Sequence, residues 1–161
     1  MLAASAPGSW LLAHSLRGLD RFFLKLSRGR TTLTAVLAGV PVIWVTTIGA
    51  HSGQARTRPL LPIHDPEHPG RFALIASNFG SHHNPAWYYN LKKNPRALCL
   101  IGAQAAIHTA HEAAGDEYER FWRYATNTYF GYTLYRQRAT RRVPIMVMER
   151  DDPASDAASG S

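Results

Sequence analysis

Apolar and cationic residues recur on a helical period near the start of the chain. Across residues 9–28 (SWLLAHSLRGLDRFFLKLSR), Leu12, Leu16, Leu19, Phe22, Phe23 and Leu26 stand three or four apart, flanked by Arg17, Arg21, Lys25 and Arg28. The pattern predicts an amphipathic helix that either packs on a core or lies on an anionic membrane surface. Past Pro41 the run Val42 to Thr47 is β-branched and aromatic and predicts a buried strand. Gly49 to Gly53 breaks that run, and an extended pattern resumes over Thr57 to Ile63. A turn cluster from His64 to Gly70 precedes a strand over Arg71 to Ser77. Asn84 or Ser81 is placed to cap a short helix, with Pro85 near its first turn, that runs through Trp87 to Lys93 and stops at Asn94-Pro95. Strands follow near 96–101 and 104–111. A helix is predicted from Gly115 toward Asn127, with Asp116 and Glu117 suited to its N-terminus, and a last strand over Val143 to Glu149.

Strands joined mainly by short turns, with few helices, give an α+β, mainly β chain: an antiparallel or mixed barrel with helices packed at its ends. The expected organisation is an amphipathic N-terminal helix over 1–30, a barrel domain over 31–149 and a disordered tail over 150–161.

Composition narrows this picture. With 161 residues, 45% of them hydrophobic and 18% charged, the chain is one domain's worth. No window reaches the roughly 18 uncharged apolar residues of a membrane span. Cys99 is the only cysteine, which excludes an internal disulfide, a Cys-rich zinc site and a CxxC redox pair. In the apolar run Ala97 to Ile101 it reads as a buried strand residue. A reducing cytoplasm fits, and the basic residues follow Trp10-Leu11-Leu12 rather than precede them, unlike a secretory signal. The localisation expected is cytoplasmic, at the inner face of the plasma membrane if the first helix rests there.

The net charge is +7, but residues 1–149 hold 17 of the 18 basic and 8 of the 11 acidic side chains, a balance of +9. Such a surface attracts nucleic acid, anionic lipid or a phosphorylated cofactor. No nucleic-acid motif accompanies the charge, so nucleic acid is not an expected partner.

Two clusters carry candidate chemistry. The first runs from Gly49 to Leu60: its glycines permit close backbone approach, so successive amides can face one anion, while His51, Ser52, Gly53, Gln54, Arg56 and Arg58 supply polar and cationic groups. A plain serine-glycine hairpin with nearby arginines reads the same way. The second, Ala76-Ser77-Asn78-Phe79-Gly80 with Pro85-Ala86-Trp87-Tyr88-Tyr89-Asn90-Leu91, sets an aromatic pair beside small polar groups that can line a planar ring, or simply anchors a helix on the core. The histidines do not converge on a metal: His82 and His83 are adjacent, and His108 and His111 fall on opposite faces of a strand.

In order and spacing these clusters resemble the deazaflavin-dependent nitroreductase family, relatives of the split-barrel flavin oxidoreductases. The family pattern is Gly-Arg-Lys-Ser-Gly-x-x-Arg-x-x-Pro-Leu, then Ala-Ser-x-Gly-Gly, then Pro-x-Trp-Tyr-x-Asn-Leu and Asn-Pro. Matching residues are Gly49, Ser52, Gly53, Arg56, Pro59, Leu60, Ala76, Ser77, Gly80, Pro85, Trp87, Tyr88, Asn90, Leu91, Asn94 and Pro95. The resemblance implies a split β-barrel over roughly 38–149. It implies that the loop holds the phosphate and acidic tail of the deazaflavin coenzyme F-420, with FMN as the alternative. Ser77 and Trp87 would flank the ring, and the reaction would pass a hydride to a quinone, enone or nitroaromatic acceptor.

Family members similar in this region place tyrosines near the ring and acceptor, which implies Tyr129, Tyr132 or Tyr135 as a proton donor. The chain departs from the pattern at Ala50-His51, where two cations are expected, and at Phe79, where a glycine is. Arg58 restores one charge if the backbone stays extended, putting it on the same face as Arg56. A non-catalytic cofactor or lipid carrier of the same fold is the other reading. The assembly is expected to be a monomer or a homodimer.

Overall fold

The computed structural model describes residues 42–151. The amphipathic stretch over 9–28, with the membrane contact it could make, lies outside the described residues, as do residues 152–161 and the Phe79 side chain. Among the described residues no helix is long and apolar enough to cross a membrane.

The element order is β1 (Ile43–Ile48), β2 (Ala55–Leu60), β3 (Pro62–His64), β4 (Phe72–Ile75), a 3-10 turn (Asn78–Gly80), α1 (Ala86–Lys93), β5 (Arg96–Ile101), β6 (Gln104–Glu112), α2 (Gly115–Thr128), α3 (Gly131–Arg138) and β7 (Ile145–Arg150). All pairings are antiparallel, in one seven-stranded sheet ordered β2-β1-β5-β6-β7-β4-β3.

The stretch expected as one strand over Thr57 to Ile63 is two. β2 and β3 are separated by Leu61 alone, yet they form opposite edges of the sheet. Laid flat, strands about 4.8 Å apart would hold those edges about 29 Å from each other, whereas one residue reaches only about 3.5 Å. The sheet must curl until its edges meet at Leu61, closing a barrel that stays split along an unpaired seam. Pro59 and Pro62 fit that seam, because a residue without an N–H is tolerated on edge strands.

Side-chain alternation then makes two cores. Phe72, Leu74, Ala76, Met146 and Met148 join Ile43, Val45 and Cys99 inside the barrel, with Trp87 and Leu91 of α1 plugging it. Ala73, Ile75, Ile145 and Val147, on the opposite face of the same strands, pack beneath Phe121, Trp122 and Tyr132 of α2 and α3. Burial on both faces explains why β4 and the first four residues of β7, Ile145 to Met148, are uninterrupted apolar runs. Cys99 sits inside, and burial pushes its thiol up to about 12, so it is a packing residue.

Some boundaries differ from the sequence expectation. Pro85 is the N-cap of α1 and no side chain caps the helix. Ser81 Oγ instead accepts from the His83 amide, and Asn84 Oδ1 is buried without a hydrogen-bond partner. At the other end the folded body passes 149: β7 continues to Arg150, and Asp151 accepts from Arg96 (2.9 Å) and Thr109 (2.6 Å).

His108 is a buried titratable group of the barrel wall, 5.1 Å from the Phe72 ring and donating from Nδ1 to the Ala106 carbonyl. Burial holds its imidazole below the ordinary value, and the Arg150 charge acts in the same direction. The unfolded chain therefore takes up this proton first. Stability from the neutral ring is complete above the unfolded pKa of about 6.5 and is lost as pH falls through the folded one. His108→Gln is expected to flatten the drop in urea midpoint between pH 7.5 and 5.5, and an unchanged slope would remove His108 as the cause.

Candidate active site

The β1–β2 connection is a tight hairpin whose geometry comes from its glycines. Gly49 donates to Gln54 O at 2.8 Å, Gly53 donates to Gly49 O at 2.9 Å, and Gly53 adopts φ 66°. A Cβ on Gly49 would meet Ser52 Oγ and lie 3.3 Å from the Gln54 carbonyl oxygen, so a side chain there would push the serine hydroxyl aside. These bonds change the expected role of the loop amides. Those of Gly49 and Gly53 are spent on the hairpin, that of Gln54 on Ser52 Oγ and that of Ala50 on Asn90 Oδ1.

Asn90 is the tie between loop and helix. Buried on α1, it accepts from the Ala50 amide at 2.9 Å and donates to Thr47 Oγ1 at 3.0 Å. Lys93, one turn on, donates to Ala50 O at 2.6 Å. The Ala50 position, where the family pattern carries a cation, is thus gripped on both sides of its main chain.

β2 remains extended, pairing Arg56 with Thr47 and Arg58 with Val45, so the two guanidinium groups share a face. With His51, Ser52, Trp87 and Asn90 they line a cleft of about 260 Å³. Gln54 stays outside it but accepts from Arg56 Nη2 at 3.1 Å.

A second cleft, of about 270 Å³, opens at the split seam. Pro59, Leu60, Leu61 and Leu74 make its apolar floor, Ser77 and Asn78 one polar side, and Tyr129, Tyr132 and Tyr135 the rim. Trp87 lines both clefts. A ligand that is anionic at one end and a planar ring at the other fits this pair, one part on each side of the indole.

Ala76 and Tyr88 do not face either cleft. Ala76 packs inside the barrel, while Tyr88 donates to Glu112 Oε2 at 3.0 Å. Trp87, Asn90 and Leu91 occupy one helical face, and Tyr88 is turned roughly 100° from Trp87 toward β6. Of the aromatic pair, only Trp87 lines the second cleft.

The tyrosines lie where the helix breaks. Tyr129 ends α2 in extended conformation (φ −145°, ψ 113°) and α3 restarts at Gly131. Ring centroids are 5.6 Å apart for Tyr129 and Tyr132, and 6.1 Å for Tyr132 and Tyr135. Burial, with Tyr135 and Tyr129 nearby, pushes the Tyr132 phenol well above the ordinary value. Burial and its bond with Tyr129 raise Tyr135 too. These two phenols therefore stay protonated at neutral pH.

A Cβ on Gly131 would sit 2.2 Å from Tyr129 Cε1. The clash is with the far end of an exposed ring, so Gly131→Ala is expected to move Tyr129 off the rim at a stability change under about 1 kcal/mol. Turnover should fall to that of Tyr129→Ala with little change in melting temperature, whereas wild-type turnover would show the ring's seat to be dispensable.

Asp65, Glu67 and His68 bring potential ligand atoms within 4.8 Å. Arg71 already lies 3.7 Å from Asp65, and the Glu67 amide donates to the same carboxylate, so the cluster is an ion-paired turn. Asp65 is desolvated, yet those bonds and the charges of His68 and Arg71 hold it below the ordinary carboxylate value.

The fold is a split barrel with two clefts that both reach Trp87. The model of the F420H(2)-dependent quinone reductase family matches residues 21–150, and the chain belongs to that family. It is 31% identical over 113 residues to an F420H(2)-dependent quinone reductase of Mycobacterium tuberculosis, covering 68% of this chain and 74% of that one. Among solved structures it is similar to an F420-H2 dependent reductase at 34% identity and TM-score 0.62, covering 68% of this chain and 94% of that one. It is also similar to a chain solved as a domain-swapped dimer, at 31% identity and TM-score 0.63, covering 89% and 99%.

Proposed function

We propose that this chain binds the deazaflavin coenzyme F-420 across Trp87 and uses its reduced form on a quinone. The observation that carries the reading is the shared Trp87 wall between a cationic cleft and an apolar, tyrosine-rimmed one. When bound, the reduced ring supplies a hydride. Arg56 and Arg58 bind the phosphate and acidic tail as planar forks, and His51 and Ser52 add polar contacts at the turn. Pro59, Leu60 and Trp87 exclude water from the ring. Ser77 offers a hydroxyl at its edge, and Tyr135, whose side chain shares a hydrogen bond with that of Tyr129, holds a proton beside the acceptor.

Dimerisation is supported by the likeness to the domain-swapped chain. A peripheral membrane role for residues 9–28 belongs to the same reading, and liposome co-sedimentation that survives deletion of residues 1–28 would remove it.

Titration of the pure protein with oxidised deazaflavin and with FMN tests the function, followed by bleaching of the reduced deazaflavin on adding menadione, an enone or a nitroaromatic. Binding at micromolar concentration and menadione-dependent bleaching are expected. Failure to bind at tens of micromolar would sink the reading, preference for FMN would replace the cofactor, and binding without turnover on any acceptor would make the chain a carrier.

A further inference from the structure

We propose that Arg141 is a positioning residue that shapes the polar edge of the ring cleft without touching what binds there. The inference rests on the functional reading above for its ligand, but its geometry stands on the chain alone. Arg141 does not line either cleft. Its guanidinium instead fills the loop between β4 and α1. Nε donates to Ser81 O at 3.0 Å, and Nη2 faces Ala76 O at 3.1 Å, His83 O at 3.2 Å and Ser77 O at 3.4 Å. A planar fork with five N–H donors can gather carbonyls from several directions in one plane, which a single ammonium cannot do as well.

The consequence follows from peptide geometry. In a trans peptide the C=O and N–H point to opposite sides. The Ala76 carbonyl turned toward Arg141, and the Ser77 carbonyl shared between the Gly80 amide at 2.8 Å and Arg141, leave the amides of Ser77 and Asn78 facing away from the guanidinium, and both of those residues line the ring cleft.

The backbone agrees independently. Ser77 is right-handed helical (φ −69°, ψ −30°) and Asn78 left-handed (φ 44°), a succession that turns consecutive amides toward one concave side and favours an oxyanion or carbonyl oxygen there. Asn78 holds this unusual conformation with its own side chain on His83 O at 2.9 Å, and His82 Nδ1 meets Thr140 Oγ1 at 3.1 Å. The loop is thus wrapped on the segment before β7. Arg141 is its hub.

Amide hydrogen exchange on the ligand-free protein, comparing wild type, Arg141→Ala and Arg141→Lys, tests the clamp. Exchange over residues 76–83 is expected to accelerate at least about tenfold in Arg141→Ala, less in Arg141→Lys, with residues 43–60 unchanged. Added methylguanidinium should slow it again. On titration with oxidised deazaflavin, Arg141→Ala should weaken binding about tenfold and move the absorption maximum of the bound ring, a readout that a loss of stability alone would not shift.

Unchanged exchange overturns the proposal, and so does faster exchange with wild-type affinity and absorption. If Arg141→Ala does not fold, Arg141→Lys carries the same comparison. A wild-type protein that ignores deazaflavin would instead sink the functional reading, and the clamp would then stand or fall on exchange.

Discussion

Replacing Arg56 and Arg58 together by alanine is expected to raise the dissociation constant for deazaflavin on the order of 100-fold while leaving turnover at saturating cofactor nearly intact. Charge-assisted hydrogen bonds contribute about 1.5–3 kcal/mol each. Both guanidinium groups are exposed, so solvent screening places them at the low end of that range, and two of them give about a factor of 100. They sit on an edge strand, outside both hydrophobic cores, and their removal should not disturb folding. The loss should concern the ligand's anionic end alone. The ring fragment without its phosphate should bind wild type and variant alike, and the variant should lose most of the wild-type salt dependence. A double variant with wild-type affinity and the same salt slope would assign the tail elsewhere.

The arginine pair was legible because strand alternation is a local rule: two residues apart on an extended edge means one face. The Trp87 wall was legible as a cluster, but not its partner. Adjacent helical residues diverge by about 100°, so Trp87 and Tyr88 could not both line the cleft. Which of them does depends on where α1 plugs the barrel.

The split at Leu61 was hidden for a different reason. Leu60 and Leu61 continue the apolar pattern without a break, and only the closure of the whole sheet turns one strand into two opposite edges. Arg141 gave no local signal, because its carbonyl partners are about 60 residues away in sequence. Four of the loop amides expected to face an anion are claimed by the hairpin and by Asn90, through bonds that residue types alone do not announce. The bond from Lys93 to the Ala50 carbonyl is likewise a contact between elements that no local spacing announces.

Trp87→Ala should have the largest effect of any single change in the cleft. The side chain is 8% exposed and packs within the barrel core, and emptying a site of that kind costs about 3–5 kcal/mol. That is a large share of the roughly 5–15 kcal/mol that holds a domain folded. A lower urea midpoint with unchanged denaturant slope would report it.

The same truncation joins the two clefts, because the indole is their common wall. Cofactor affinity should therefore fall further than the loss of one contact implies, even at low temperature where the variant remains folded. Trp87→Phe separates the two consequences: a phenyl ring keeps a flat wall but fills less of the core, so it should retain most of the binding while still losing stability. If Trp87→Phe instead loses binding as completely as Trp87→Ala, the indole acts through its N–H and not as a wall. If Trp87→Ala binds like wild type, the ligand does not pass this residue.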